Sequence, residues 1–508
     1  MKVASLFIIN LFLCAQLGAQ ERFYKFVPGW RGTSIIEKEN GYITIGMGAV
    51  IYNDSLFKSF ITSDIDLEGI VLSEFESILD TNGTIEQLVS FGNNVSIANE
   101  TIVVGHQKYD EFAFKGLLIW YNEDLSEINH YRKYDLSFNT RFSTINHPND
   151  STLLIGGYRA NGPSPPSSII PILINTDLDG NIRWLFEYPC EIECEGQGGI
   201  KQVLEINGNG YLIVIEQKVF QPLQWDDLYY QRYIKLDNNG EIQWEFSAGD
   251  INNFAYSTAG ALVTDDGNIL IAYSDFQTHV FPNNQSNDDA TIYLEKLNIQ
   301  DGSSMFLQPV YETTPWATQL THIIHSSDGN IVLSGVVFSK AILLKVSQTG
   351  IPIWYREIDP NENSYWNYPI GLTETNDGGF ICVGELRGHP NNEEFQSAFV
   401  LKVDEYGCLE PGCQLTDNID QTDDFNASQL KVFPNPSSGN FTIYLPERKK
   451  GEITVMDVTG KIVLTKYVSN AQAIPIDISR NVSGLYFIQF TSNEGEIYQI
   501  KIIKNKLL

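Results

Sequence analysis

Histidine is scarce, with seven in 508 residues, and basic side chains are outnumbered by 63 Asp and Glu to 33 Lys and Arg. A formal net charge of −30 leaves no basic surface to neutralise phosphates, so nucleic acid is excluded as a partner. After the leading residues no stretch reaches the ~18 uninterrupted apolar residues of a membrane helix, so no transmembrane segment is expected in the mature chain. There is no Gly-x-Ser-x-Gly, His-Glu-x-x-His, phosphate loop or dinucleotide fingerprint, which removes the sequence footing for the common hydrolase, zinc and nucleotide chemistries. Long helical periodicity is missing as well. The apolar runs are short and rich in Ile, Val, Leu, Tyr and Phe, the pattern of β-strands.

What is present begins with a leader. Lys2, the apolar Ala4–Leu17 run and the small Ala19 have the layout of a signal peptide cut after Ala19. Leu13 before Cys14 is too large for a lipoprotein signal. Charge then divides the chain. From Leu430 onward there are 10 Lys and Arg and 6 Asp and Glu, or +4; the remainder has 23 and 57, or −34. An acidic body joined to a mildly basic tail points to two modules. Four cysteines form close pairs, Cys190 with Cys194 and Cys408 with Cys413, which an oxidising compartment would turn into short-loop disulfides. Cys382, within Phe380–Val383, is expected as a buried free thiol.

The body repeats. Each unit has a strand, a tight Gly turn, a short apolar strand, a variable loop, a strand ending in Lys-apolar-Asp, a second Gly turn and a last strand with Trp. The clearest copies begin at Asn207, Asp265, Asp328 and Asn376; weaker ones begin near Asn40, Asn99 and Asp150. Seven units of four short strands predict a seven-bladed β-propeller. The last unit lacks its Trp strand, and an unattached strand, Arg22–Val27, precedes the first. That strand is expected to pair around Val400–Asp404 and close the ring, removing an exposed edge.

Asp177/Gly180/Trp184 and Asp237/Gly240/Trp244 share the pattern Asp-x-x-Gly-x-x-x-Trp, and Gly350/Trp354 keeps its second half. These elements resemble the tryptophan-docking motif of quinoprotein-like propellers, which implies that Trp184, Trp244 and Trp354 wedge between blades.

After a polar linker come Phe433-Pro434-Asn435-Pro436, Asp457-Val-Thr-Gly460-Lys461, Ser483-Gly484-Leu-Tyr486 and Lys501-Ile-Ile-Lys504. Alternating apolar positions place them on the strands of a small Ig-like β-sandwich. In this order the four motifs resemble the type A C-terminal sorting domain of the type IX secretion system. The resemblance implies the type IX machinery as partner, and passage through the periplasm to the medium or the outer-membrane cell surface. The expected domains are a signal peptide at 1–19, a propeller at 20–408, a linker at 409–429 and a sorting β-sandwich at 430–508.

Catalytic residues do not stand out. His322 and His325, three apart on a strand, should face opposite ways. The Asp177–Asn181 and Asp237–Glu241 loops lack the ligand set of a calcium loop and read as hairpin turns. No cofactor is therefore expected, although so acidic a surface leaves calcium open at no assigned residue. Aromatics gather in two loops, Trp225/Tyr229/Tyr230/Tyr233 and Tyr365/Trp366/Tyr368, as protein or glycan contacts do. The expected role is a non-catalytic protein- or glycan-binding module. The alternative is a propeller enzyme, either a quinoprotein-like dehydrogenase or a polysaccharide-cleaving enzyme. Polar, titratable side chains converging on the central channel would favour the enzyme.

Overall fold

The computed structural model describes residues 22–410 except 53–54, 78, 82–83, 90–93, 111–112, 138, 150, 161–168, 189–197, 207, 220–227, 249–253, 281–285, 314–317, 360–365 and 390–391, together with Cys413 and residues 430–504 except 434–436, 438, 458–460 and 494–496. The expected signal peptide lies outside the described residues, as do Cys190, Cys194, Trp225, Tyr365, Pro434, Asn435, Pro436 and Gly460. The chain divides into two compact units, 1–414 and 415–508.

The first unit is all-β and built from sets of four antiparallel strands. Set A is Arg31–Lys38, Gly41–Tyr52, Ser55–Ile65 and Val71–Ser77. Set B is Asn94–Ile97, Glu100–Asp110, Ala113–Asn122 and Ile128–Tyr134, and a hairpin of Leu79–Thr81 and Thr84–Val89 adds to it where Gln87–Val89 pairs with His106–Lys108. Set C is Asn139–Asn149, Thr152–Ala160, Ile169–Thr176 and Ile182–Glu187. Set D is Gly198–Glu205, Tyr211–Val219, Leu228–Leu236 and Ile242–Ala248. Set E is Phe254–Val263, Ile269–Val280, Ser286–Leu297 and Ser304–Thr313. Set F is Thr318–His325, Ile331–Val337, Lys340–Val346 and Pro352–Ile358. Set G is Trp366–Glu374, Phe380–His389 and Asn392–Val403, completed by Phe23–Val27. One parallel bridge, Phe114 to Asn139, links sets B and C.

Each set packs on the next. Phe60 of set A meets Leu117 of set B, Leu154 of set C meets Ile213 of set D, and Leu343 of set F meets Leu401 of set G. The packing then returns to its origin, because Val383 and Val400 of set G share a core with Tyr42 and Ile65 of set A. The result is the closed ring of a β-propeller. Second strands are covered on both faces, which is why Ile331–Val337 is buried at every position.

The ring is sealed by its most distant segments. Phe23 pairs with Lys402 and Val27 with Ala398, two residues earlier than the sequence order suggests. Arg22 Nη2 reaches Asp404 Oδ2 at 2.7 Å beyond the last pair.

A feature with no sequence signal recurs along the innermost strands. A bulge falls between Gly32 and Ser34, Phe142 and Thr144, Ile200 and Gln202, Thr258 and Gly260, Leu320 and His322, and Pro369 and Gly371. A bulge re-aims the extra residue. Ser143 Oγ thereby donates to Ile200 O at 2.5 Å, and Lys201 Nζ to Thr258 O at 2.5 Å, each joining one set to the next.

Cys408 and Cys413 form a disulfide with a Cα–Cα distance of 5.6 Å, just past the seam. Cys382 is free and buried, and burial pushes its thiol up to about 12. Alkylation of the native protein followed by mass spectrometry should leave Cys382, Cys408 and Cys413 unlabelled. Denaturation should expose Cys382 alone, and added reductant the other two. Labelling of Cys408 without reductant would contradict this. Cys413→Ser should cost about 2 kcal/mol, the loop-closure entropy of so short a ring.

The second unit has five described strands: Lys431–Phe433, Asn440–Asp457, Ile462–Asp477, Gly484–Ser492 and Ile497–Lys504. Two are long, and Asn440–Asp457 continues through a register break between Tyr444 and Lys449, where Pro446 has no N–H to donate. Its first half pairs with Lys431–Phe433 and its second with Gly484–Ser492. The two halves bring Phe441 and Ile443 into one core with Ile453, Ile488 and Phe490.

Candidate functional site

The Gly turns that join first to second strands and third to fourth strands lie at one end of the ring. At that end, Asp177 Oδ1 accepts from Asn181 N at 2.7 Å and Asp237 Oδ1 from Glu241 N at 2.9 Å, so both carboxylates serve hairpin turns. The following glycine takes a positive φ, +88° at Gly240, and its bare backbone leaves room for a ring. A Cβ there would lie 3.3 Å from Trp184. Trp244 covers Gly302 and Trp354 covers Gly407 in the same way, and Trp244 Nε1 donates to Ile299 O at 2.9 Å. Each tryptophan thus reaches over the turn of the next set.

The sequence pattern did not reveal what the repeated lysine does. Lys296, Lys345 and Lys402, near the ends of third strands, pair with Asp266, Asp328 and Asp377 of their own set's first turn at 2.6, 2.8 and 3.0 Å. Burial draws the Lys402 ammonium below the usual lysine range, and Asp377 pulls it back up. The conjunction of Asp-Gly turns with Lys-apolar-Asp strands was the signal that could have found these pairs.

The variable loops lie at the opposite end, where innermost strands begin and second strands finish. A cavity of about 490 Å³ opens there, lined by Arg31, Gln319, Trp366, Tyr368, Glu385 and Arg387. Strand register builds it: Trp366 stands opposite Arg387, and Tyr368 opposite Glu385. Set A approaches closely, since a Cβ on Gly32 would fall 2.0 Å from Val383 Cγ2, and this brings in Arg31. Glu385 is 2% exposed. Arg31 Nη1 lies 3.6 Å from its Oε2, and Arg387 Nε and Gln396 Nε2 both donate to its Oε1. Burial draws the Arg31 guanidinium down and Glu385 draws it back up. The Trp366 and Tyr368 rings stack with centroids 6.3 Å apart. Of the aromatics singled out in the sequence, these two line the cavity, whereas Tyr233 is buried and bonds Thr258 Oγ1 at 2.7 Å.

The histidines lie elsewhere. His325 Nε2 is 3.0 Å from Val263 O. His322 is driven down to about 4 by burial and by Lys201, which keeps it neutral at physiological pH.

In the second unit the motif residues converge. The backbone N–H of Lys461 donates to Asp457 Oδ1 at 3.1 Å, and Asp457 stands opposite Tyr486. Tyr486 is buried and its hydroxyl donates to Val482 O at 2.6 Å. Gly484 pairs with Lys504, and Ser437 bridges to Lys504. Lys501 stands opposite Phe487 in the same ladder, and Phe433 pairs with Thr442. The last three motifs therefore meet at one end of the unit.

Residues 431–505 match the secretion system C-terminal sorting domain. The tail is a type IX sorting domain. The chain is accordingly sorted by the type IX machinery for secretion or display at the cell surface. A curated relative, ulvan lyase NLR42 of Nonlabens ulvanivorans, is 33% identical over 79 residues, and the match spans 15% of each chain. The ring is similar to solved structures. Drosophila Plexin A in complex with Semaphorin 1b shares 8% identity, with 77% of this chain and 88% of that one covered and a TM-score of 0.44. The β-propeller domain of the Trilobed protease from Pyrococcus furiosus shares 10%, with 75% and 96% covered and a TM-score of 0.37. No helix among the described residues is long and apolar enough to cross a membrane.

Proposed function

We propose that this type IX cargo carries a seven-bladed propeller that works as a non-catalytic glycan-binding module, with its ligand at the mouth cavity. Sets A to G, each with four strands at its centre, support the blade count, and the long strands around one core in the tail support an Ig-like sandwich. A signal peptide at 1–19 would supply entry to the periplasm, with 20–408, 409–429 and 430–508 as propeller, linker and sorting domain. The observation that carries the binding role is the cavity itself, where the Trp366 and Tyr368 rings stand beside planar polar groups from Arg31, Arg387, Glu385 and Gln319. Sugars are held by such a combination of apolar ring face and oriented hydrogen-bond donors. Glu385 is poorly placed to move protons, because its oxygens are already engaged by two guanidiniums and the Gln396 amide.

A polysaccharide-cleaving role is the second reading. It is favoured by the convergence of Arg31, Tyr368, Glu385 and Arg387 at the ring's mouth, and the curated relative is a ulvan lyase. Glycan-array binding followed by product analysis separates the two. The mature chain should retain intact glycans and release no shortened chains. Trp366→Ala, which removes the ring but no core contact, should weaken binding by about 5- to 10-fold, the loss of one aromatic contact of ~1–1.5 kcal/mol. Released oligosaccharides would decide for the enzyme, and unchanged binding by the Trp366 variant would displace the site.

A further inference from the structure

We infer that the mouth cavity selects an acidic sugar, one bearing a carboxylate or a sulfate ester; this rests on the glycan-binding reading above. The charge at the cavity runs against that of the body. Residues outside the tail carry a net −34 by count, yet the six lining side chains include two arginines and one glutamate, a local +1.

That excess is not needed to hold Glu385. One guanidinium neutralises one carboxylate, and Arg31 from set A supplies it at 3.6 Å. Arg387 adds a second, engaging Glu385 through Nε. Nε supplies only one of the five N–H donors of the guanidinium. The Arg387 side chain lines the cavity and is 60% exposed, so its remaining donors are within reach of a ligand there. A fixed guanidinium edge with two parallel N–H donors matches the two oxygens of a carboxylate or sulfate, which a lysine ammonium does not reproduce.

Trp366 stands directly opposite Arg387 in the strand pair, and its ring stacks on Tyr368. An anionic group on the Arg387 fork therefore places the rest of its carrier over an aromatic surface. A pyranose ring fits that surface, whereas an acidic peptide would use the fork and leave the aromatic platform idle. The surrounding negative charge is screened beyond about 8 Å at physiological salt, so it opposes long polyanions more than a single acidic residue held at the mouth.

Titration calorimetry of the full mature chain tests this, with four probes matched in length: an oligouronate, a sulfated neutral oligosaccharide, its unsulfated parent and an acidic peptide. One or both acidic sugars should bind at least about 10-fold more tightly than the parent, a preference that falls as salt rises. Arg387→Ala and Arg387→Lys should each remove most of it, and the lysine variant separates fork geometry from charge. Equal binding of acidic and neutral probes, unaffected at Arg387, overturns the acidic-sugar inference and leaves the glycan-binding reading standing. Binding of an acidic peptide with no glycan bound overturns both, as does binding of no probe at all.

Discussion

Deletion of residues 430–508 is expected to abolish delivery to the cell surface and medium while leaving a folded ring in the periplasm. The two halves of this expectation rest on different observations. Loss of export follows from the sorting domain matched at 431–505. Retention of the fold follows from packing, because among the described residues the tail's core is built only from tail residues, Leu430 to Ile502, and the ring's cores draw on none of them. Separate cores make separate folding units. Fractionation of a host with type IX machinery should show the truncated protein in the periplasm alone, with the near-ultraviolet spectrum and protease resistance of the intact ring. A passenger fused to residues 430–508 should leave the cell. Normal surface levels of the truncated protein would show that the tail is dispensable for sorting.

The second large effect concerns the seam. Phe23→Ala should destabilise the ring by about 3–5 kcal/mol, the cost of emptying a buried phenylalanine site. Phe23 is 6% exposed, lies tilted against Tyr42 with ring centroids 6.3 Å apart and shares a core with Ile65 and Val400. It belongs to the strand that covers the outer edge of Ala398–Lys402, so its loss weakens the joint between sets G and A together. Lys25→Ala, exposed on the same strand, should change stability by less than about 0.5 kcal/mol. Urea unfolding of the two variants side by side gives the comparison. Similar midpoints would mean that the strand is ornamental to ring stability.

Much of this architecture was legible because it repeats. Asp-Gly turns and Lys-apolar-Asp strands recur, and one copy confirms the next. The missing Trp strand after Gly407 and the spare strand at Phe23 were visible as a deficit and a surplus, which is why the seam could be anticipated. The innermost bulges were invisible, since the bulged positions are held by residues as unlike as Thr33, Ser143, Lys201 and Ile370. A bulge there is a backbone event set by strand crowding rather than by any one side chain. The cavity was half legible. Trp366 and Tyr368 announced themselves as neighbours, but Arg31 lies 335 residues before Trp366 by number and reaches it only through closure of the ring. The length of the tail strands was not legible, because Pro446 interrupts pairing without ending the strand.

The seam also sets a clock. A chain delivered from its first residues onward presents Phe23–Val27 early, and this strand must wait for Ala398–Lys402, some 375 positions later. Until then Phe23–Val27 lacks the pairing partner it has in the finished ring. The disulfide at Cys408–Cys413 follows within a few residues of the last pairing strand, and the sorting domain follows that. The address is therefore the last part of the chain to be delivered, after every strand that the seam requires.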